Sequence, residues 1–150
     1  MSVRSQPGTS AVLRGGGTVL GVLTAIALAI DAIVHFRLAP GYQAANPGGI
    51  GQGNLFLVES AAALAAALYV LLRGSRGAYA VAFLVALSAF VAVVVYRYIN
   101  VPAFGPFPAM YEPVWFFEKT LSAVAEAVAV ILAGIGFVRA GRRKRPGGSG

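Results

Sequence analysis

The chain has 150 residues, 58% of them hydrophobic and only 11% charged, and a net charge of +7. Soluble domains carry roughly 25% charged residues, and one this short buries only about 70% of its unfolded surface; too few charges are present to coat the remainder, so lipid is the indicated solvent. Cysteine is absent and His35 is the single histidine, which excludes disulfides, thiolate metal sites, iron–sulfur clusters, cysteine catalysis and bis-histidine haem ligation within one chain.

Residues 1–17 read as a flexible basic tail, with Gly15-Gly16-Gly17 as a hinge. Four apolar segments follow, each near the roughly 20 residues a bilayer-spanning helix needs. They cover about 18–38, 54–72, 78–98 and 114–138. Helices rather than strands follow from segment length, and from lipid forcing every backbone polar group to pair internally. Asp31 interrupts the first segment and no small-x-small cleavage site precedes Pro40, so that segment reads as a retained helix rather than a signal peptide. The stretch Pro40 to Gly53 reads as a Gly- and Asn-rich connection. Arg73-Gly-Ser-Arg76-Gly reads as a tight turn that makes the second and third helices antiparallel neighbours. Asn100 to Pro113 carries four prolines with Phe104, Phe107, Met110 and Tyr111. It is expected to be non-helical and to lie along the membrane interface. Residues 139–150 form a basic tail. The fold class is thus all-α, a four-transmembrane-helix bundle.

Orientation follows from the basic residues that flank each segment. Arg4, Arg14, Arg73, Arg76, Arg139, Arg142, Arg143, Lys144 and Arg145 fall on one side with no acid. Arg37, Arg97 and Lys119 fall on the other, with all five acids. Both termini are therefore expected in the cytoplasm and the chain in the plasma membrane. The basic C-terminal tail serves as a topology signal and an anionic-lipid anchor, so no nucleic-acid partner is expected.

Ionisable groups in hydrocarbon are costly, and each is a candidate site. Arg37, Arg73, Arg97 and Arg139 stand at helix ends, where the dipole favours cations and long side chains snorkel. Glu59 and Glu118 stand near helix starts, where anions are favoured. Asp31 and Glu126 have no such explanation. At ~1.5 Å per residue they lie about 10 Å and 18 Å inside their helices. His35 is one turn from Asp31 on the same face, and Glu118, Ser122 and Glu126 follow at i, i+4 and i+8. A pair of Asp31 with Lys119 or Arg97 is expected to supply counter-charge. Three uses of this cluster stay open: interhelical hydrogen bonding, an outward-facing pocket or proton relay, and a metal site formed by Asp31, His35, Glu59 and Glu126. Nucleophile-elbow and P-loop patterns are absent.

The element Asp31-Ala-Ile-Val-His35-Phe-Arg-Leu-Ala, then Gly41-Tyr42, then Gly53-Asn-Leu-Phe-Leu-Val-Glu59 resembles a group of small actinobacterial four-helix membrane proteins of unknown function. The Ala-, Gly-, Val- and Arg-rich composition fits a high-GC genome. The order of elements is also distantly similar to DoxX-like proteins, with a helix-two glutamate matching Glu59 and a short basic turn matching Arg73 to Arg76. That resemblance implies a membrane-associated redox role with a partner, since this chain has no thiol. The leading expectation is a non-enzymatic binding protein with a pocket built from Asp31, His35, Glu59 and Glu126, and Arg97, Lys119 and Glu118 beside them. The alternatives are a metal- or quinone-dependent redox component and a proton-coupled transporter subunit. Beyond the bilayer, the expected partner is a second copy or a membrane complex.

Overall fold

A computed structural model describes residues 8–45 and 50–142, and the side chains from residue 17 onward. Of the expected tails, residues 1–7 and 143–150 lie outside the described residues, and so do Arg4, Arg143, Lys144, Arg145 and the Arg14 side chain. Four helices are present: α1 Gly8–Ala45, α2 Gln52–Arg73, α3 Arg76–Tyr98 and α4 Phe117–Arg142. Each is long and apolar enough to cross a membrane. The expected bundle is therefore seen, with four boundary differences in α1 and α4. Helix α1 starts at Gly8, inside the stretch read as a tail, and α4 runs on to Arg142. At its other end α1 continues through Pro40 to Ala45, where a connection was expected. Helix α4 begins at Phe117, three residues later than Val114.

Pro40 lacks an N–H and deprives the Phe36 carbonyl of its i+4 donor, a cost one helix can absorb at an exposed position near its end. The α2–α3 turn is set by two residues. Gly74 takes a left-handed conformation (φ 50°) and donates to the Val70 carbonyl at 2.8 Å, a C-cap that glycine tolerates without a Cβ clash. Ser75 then caps α3 by accepting from the Ala78 N–H at 3.2 Å.

Each helix packs on its two sequence neighbours around a ring, α1 closing against α4, while the α1–α3 diagonal barely touches. Small residues line the seams. Ala63, Ala66 and Ala67 face inward from α2, Ala78, Ala82 and Ala86 from α3, and Ala129 and Ala133 from α4. In lipid, association depends on close backbone approach rather than on hydrophobic expulsion, and alanine permits it. The outside is correspondingly apolar: Leu23, Ile26, Ile33, Leu68, Leu84 and Ile131 are all exposed. A contiguous apolar belt of this kind fits acyl chains and not water.

At the end of the bundle opposite the Gly74 turn, residues 99–116 fold back as a small hairpin. Val101 and Met110 exchange backbone bonds of 3.1 and 2.9 Å, and Phe104 and Phe107 exchange bonds of 3.1 and 3.0 Å. The Ile50 N–H donates to Pro106 O at 3.1 Å, and the Glu112 N–H to Tyr96 O at 2.9 Å. The segment is non-helical, as its prolines require. It covers the bundle end and buries Met110.

Candidate functional site

The site grows from one face of α1. Thr24, Leu28, Asp31 and His35 are buried at helical spacing, and Leu38 and Tyr42 continue the stripe because α1 persists past Pro40. Asp31 is 1% exposed and Glu126 on α4 is 0% exposed. Ser122, one turn before Glu126, joins the two helices. Its hydroxyl stands 2.6 Å from Asp31 Oδ1, 3.1 Å from Glu126 Oε1 and 3.4 Å from His35 Nδ1. His35 Nδ1 in turn lies 2.9 Å from Asp31 Oδ1 and 3.2 Å from the Asp31 carbonyl. The Phe56 ring meets the imidazole edge-on at 5.0 Å and fixes its plane.

Asp31 Oδ2 and Glu126 Oε2 are buried without any hydrogen-bond partner among the described residues. Donor atoms of Asp31, His35 and Glu126 all lie within 4.8 Å of one another. Glu59, the fourth expected ligand, is not in this close group. It stands instead on the wall of a partly open cavity of about 320 Å³, at the ends of α2 and α3 away from their turn. His35 and Ser122 form the cavity floor, Phe56, Tyr96 and Phe116 supply aromatic walls, and Lys119 lies toward the hairpin. Glu59 Oε1 is also buried and unpartnered among the described residues.

The expected counter-charges are placed otherwise. Lys119 is buried on the same face as Glu126, but its Nζ donates to the Glu112 carbonyl and sits 5.5 Å from the Trp115 ring. Arg97 lies over the Tyr98 ring at 5.0 Å, with its Nε unpartnered among the described residues. Among the described residues the sole ion pair is His35 with Asp31, so neither expected pair forms. Glu118 is exposed and does not join the pocket. Its eight residues to Glu126 rotate it by about 80° around the helix, whereas the seven from Lys119 rotate that residue by only about 20°.

No family model, curated protein or solved structure matches the chain.

Two residues of the site lay outside the sequence expectation. Tyr42 donates to Glu112 Oε2 at 2.9 Å, tying the last turns of α1 to the hairpin at the mouth of the cavity. Tyr42 falls at i+11 from Asp31, the position a continuous helix would place on the same face. Glu112, as a loop residue, carried no such periodic signal.

Proposed function

We propose that the protein is a non-enzymatic multi-pass membrane protein that binds one amphipathic small molecule carrying a hydrogen-bond donor, an amine or a hydroxyl. The observation that carries this reading is Glu59 Oε1, a buried acceptor with no hydrogen-bond partner among the described residues, on the wall of a cavity that Phe56, Tyr96 and Phe116 also line. A buried polar atom without a partner costs about 1–3 kcal/mol, and a ligand donor would supply the missing bond. The cavity volume of about 320 Å³ is in the range of small-molecule sites. Its mixed lining suits a molecule with an apolar body and a polar end, such as a lipid headgroup region.

The distribution of basic residues supports a plasma-membrane orientation with both termini in the cytoplasm and the cavity facing outward. The resemblance to DoxX-like proteins contributes the bundle architecture to this reading and no activity. The test is native mass spectrometry of the full chain released from mild detergent. One retained amphipathic molecule per chain is expected, lost on Ala92→Phe, because Ala92 lines the cavity from α3 and a phenyl ring there fills it without altering an acid. Glu59→Gln should weaken retention. A wild-type chain that retains nothing, or an Ala92→Phe chain that retains as much, refutes the proposal.

A further inference from the structure

Behind the cavity floor, the atoms of Asp31, His35 and Glu126 have a different chemistry from the cavity itself. We propose that these three side chains form a binding site for one divalent cation of the zinc, manganese or ferrous class. The donor set is one imidazole nitrogen and two carboxylates, with a serine hydroxyl between them. Such mixed nitrogen and oxygen sets suit borderline cations, whereas calcium and magnesium sites are built from oxygen alone. Three protein ligands is the number that open zinc sites use, and the Ser122 hydroxyl stands beside them. All three donor atoms fall within 4.8 Å of one another, a span that a cation with bonds of about 2.0–2.2 Å can bridge with small rotamer adjustments.

Two independent observations show that, beyond the His35 imidazole, the cluster lacks a counter-charge among the described residues. Asp31 Oδ2 and Glu126 Oε2 are unpartnered among the described residues although their side chains are 1% and 0% exposed. The two expected counter-charges lie elsewhere: Lys119 bonds the Glu112 carbonyl and Arg97 lies over the Tyr98 ring. The exposed Arg37 does not reach the cluster. Ser122 sharpens the deficit. One hydroxyl carries one hydrogen, yet Ser122 Oγ lies within bonding distance of both Asp31 Oδ1 and Glu126 Oε1. It can donate to one of them; where it serves Glu126, Asp31 Oδ1 keeps the His35 Nδ1 contact, and Asp31 Oδ2 and Glu126 Oε2 still meet no donor among the described residues. Leu28 and Ala129, one turn away on the same two helices, are fully buried and keep the surroundings apolar. A cation is held more strongly there than at a hydrated surface.

Binding replaces protons shared within the cluster, so it releases them to solvent. The site stands independently of what fills the cavity, although His35 borders both. The experiment is isothermal titration of Zn²⁺, and in parallel Mn²⁺, into the chelator-treated full chain in detergent, in two buffers of different ionisation enthalpy. One ion per chain is expected, with a heat that changes with buffer. Asp31→Asn and Glu126→Gln should each weaken binding by more than the roughly 10–100-fold that changes to outer-shell groups cause. Glu118→Gln removes the same charge from an exposed position, and Ala92→Phe fills the cavity; both should stay within about threefold of wild type. An absent ion, or unchanged affinity in Asp31→Asn and Glu126→Gln, overturns the proposal. Should those variants fail to fold, Co²⁺ added to the wild-type chain decides it. A ligand-field absorption band of a low-symmetry site supports the proposal, and the spectrum of aqueous Co²⁺ overturns it. Loss of the amphipathic molecule with the ion retained separates failure of the cavity reading from failure of this one.

Discussion

Replacing Ser122 by alanine removes the one hydroxyl that touches all three members of the buried cluster, and the geometry sets what this costs. Asp31 Oδ1 keeps its contact with His35 Nδ1 at 2.9 Å, so it loses one interhelical bond. Such bonds contribute about 0.6 kcal/mol on average in membranes. Glu126 fares worse. Ser122 is the hydroxyl partner of its Oε1 at 3.1 Å, and its Oε2 has none among the described residues. The substitution leaves that carboxyl without a hydrogen-bond donor among the described residues, a loss of about 1–3 kcal/mol for an unsatisfied buried group. With one hydrogen to give, the hydroxyl serves one acid at a time, so the loss expected is about 1–3 kcal/mol rather than the sum. Ser60→Ala is the matched control. Its hydroxyl reaches across from α2 to the Ala32 carbonyl at 2.9 Å and holds no carboxyl, so a loss of about 0.6 kcal/mol is expected. Reversible unfolding by SDS titration in mixed micelles, followed by circular dichroism in the presence of chelator, measures both. A Ser122→Ala loss no larger than that of Ser60→Ala refutes the view that this hydroxyl satisfies a buried acid.

Three further substitutions test separate parts of the fold. Tyr42→Phe deletes the bond to Glu112 Oε2; about 1 kcal/mol of stability should go, and the Val101 and Met110 amides should exchange faster with deuterium, whereas unchanged exchange shows that the hairpin is held without Tyr42. Ala82→Leu pushes a larger side chain into a fully buried seam position; SDS unfolding should show a loss of about 1–3 kcal/mol or more from overpacking, and a neutral result places that face of α3 against lipid. Gly74→Ala puts a Cβ on a left-handed residue. A loss of about 1 kcal/mol by the same titration is expected, Gly74→Asn should recover part of it, and equal stability of all three chains removes the need for a left-handed cap.

The four spans were legible because apolar length is a property of contiguous residues, and the turn at Gly74 and Ser75 because capping chemistry is local. The end of α1 was not. Pro40 reads as a helix breaker, yet an interior proline costs one hydrogen bond and some bending, and the α1 face that packs on α2 offsets it. Stopping the helix there hid Tyr42, and with it the link to the hairpin. Asp31, His35, Ser122 and Glu126 were within reach of periodicity, whereas Glu118 was taken in by counting in fours, which drifts around a helix of 3.6 residues per turn. The partner of Lys119 was not predictable from residue types. It is a backbone carbonyl, and every residue has one. Pairing acids with bases by sign overlooked it.

That misplaced pairing bears on whether the cluster is merely structural. A lysine or arginine counter-charge would have needed Lys119 or Arg97 to face Asp31, and both are turned to other partners, which leaves His35 as the one basic group paired with Asp31 among the described residues. What remains between α1 and α4 is the Ser122 hydroxyl and the imidazole, shared between two carboxyls. Interhelical bonds at about 0.6 kcal/mol each fall short of the roughly 2.5–3.5 kcal/mol that a central aspartate alone costs on insertion. Alanine seams such as Ala82 with Ala86 and Ala129 with Ala133 already hold the helices at close approach, so the bundle has a cheaper way to cohere. The expense of Asp31 and Glu126 is therefore unmatched by the contacts they make among the described residues. The divalent cation proposed for this cluster would compensate it from outside the polypeptide.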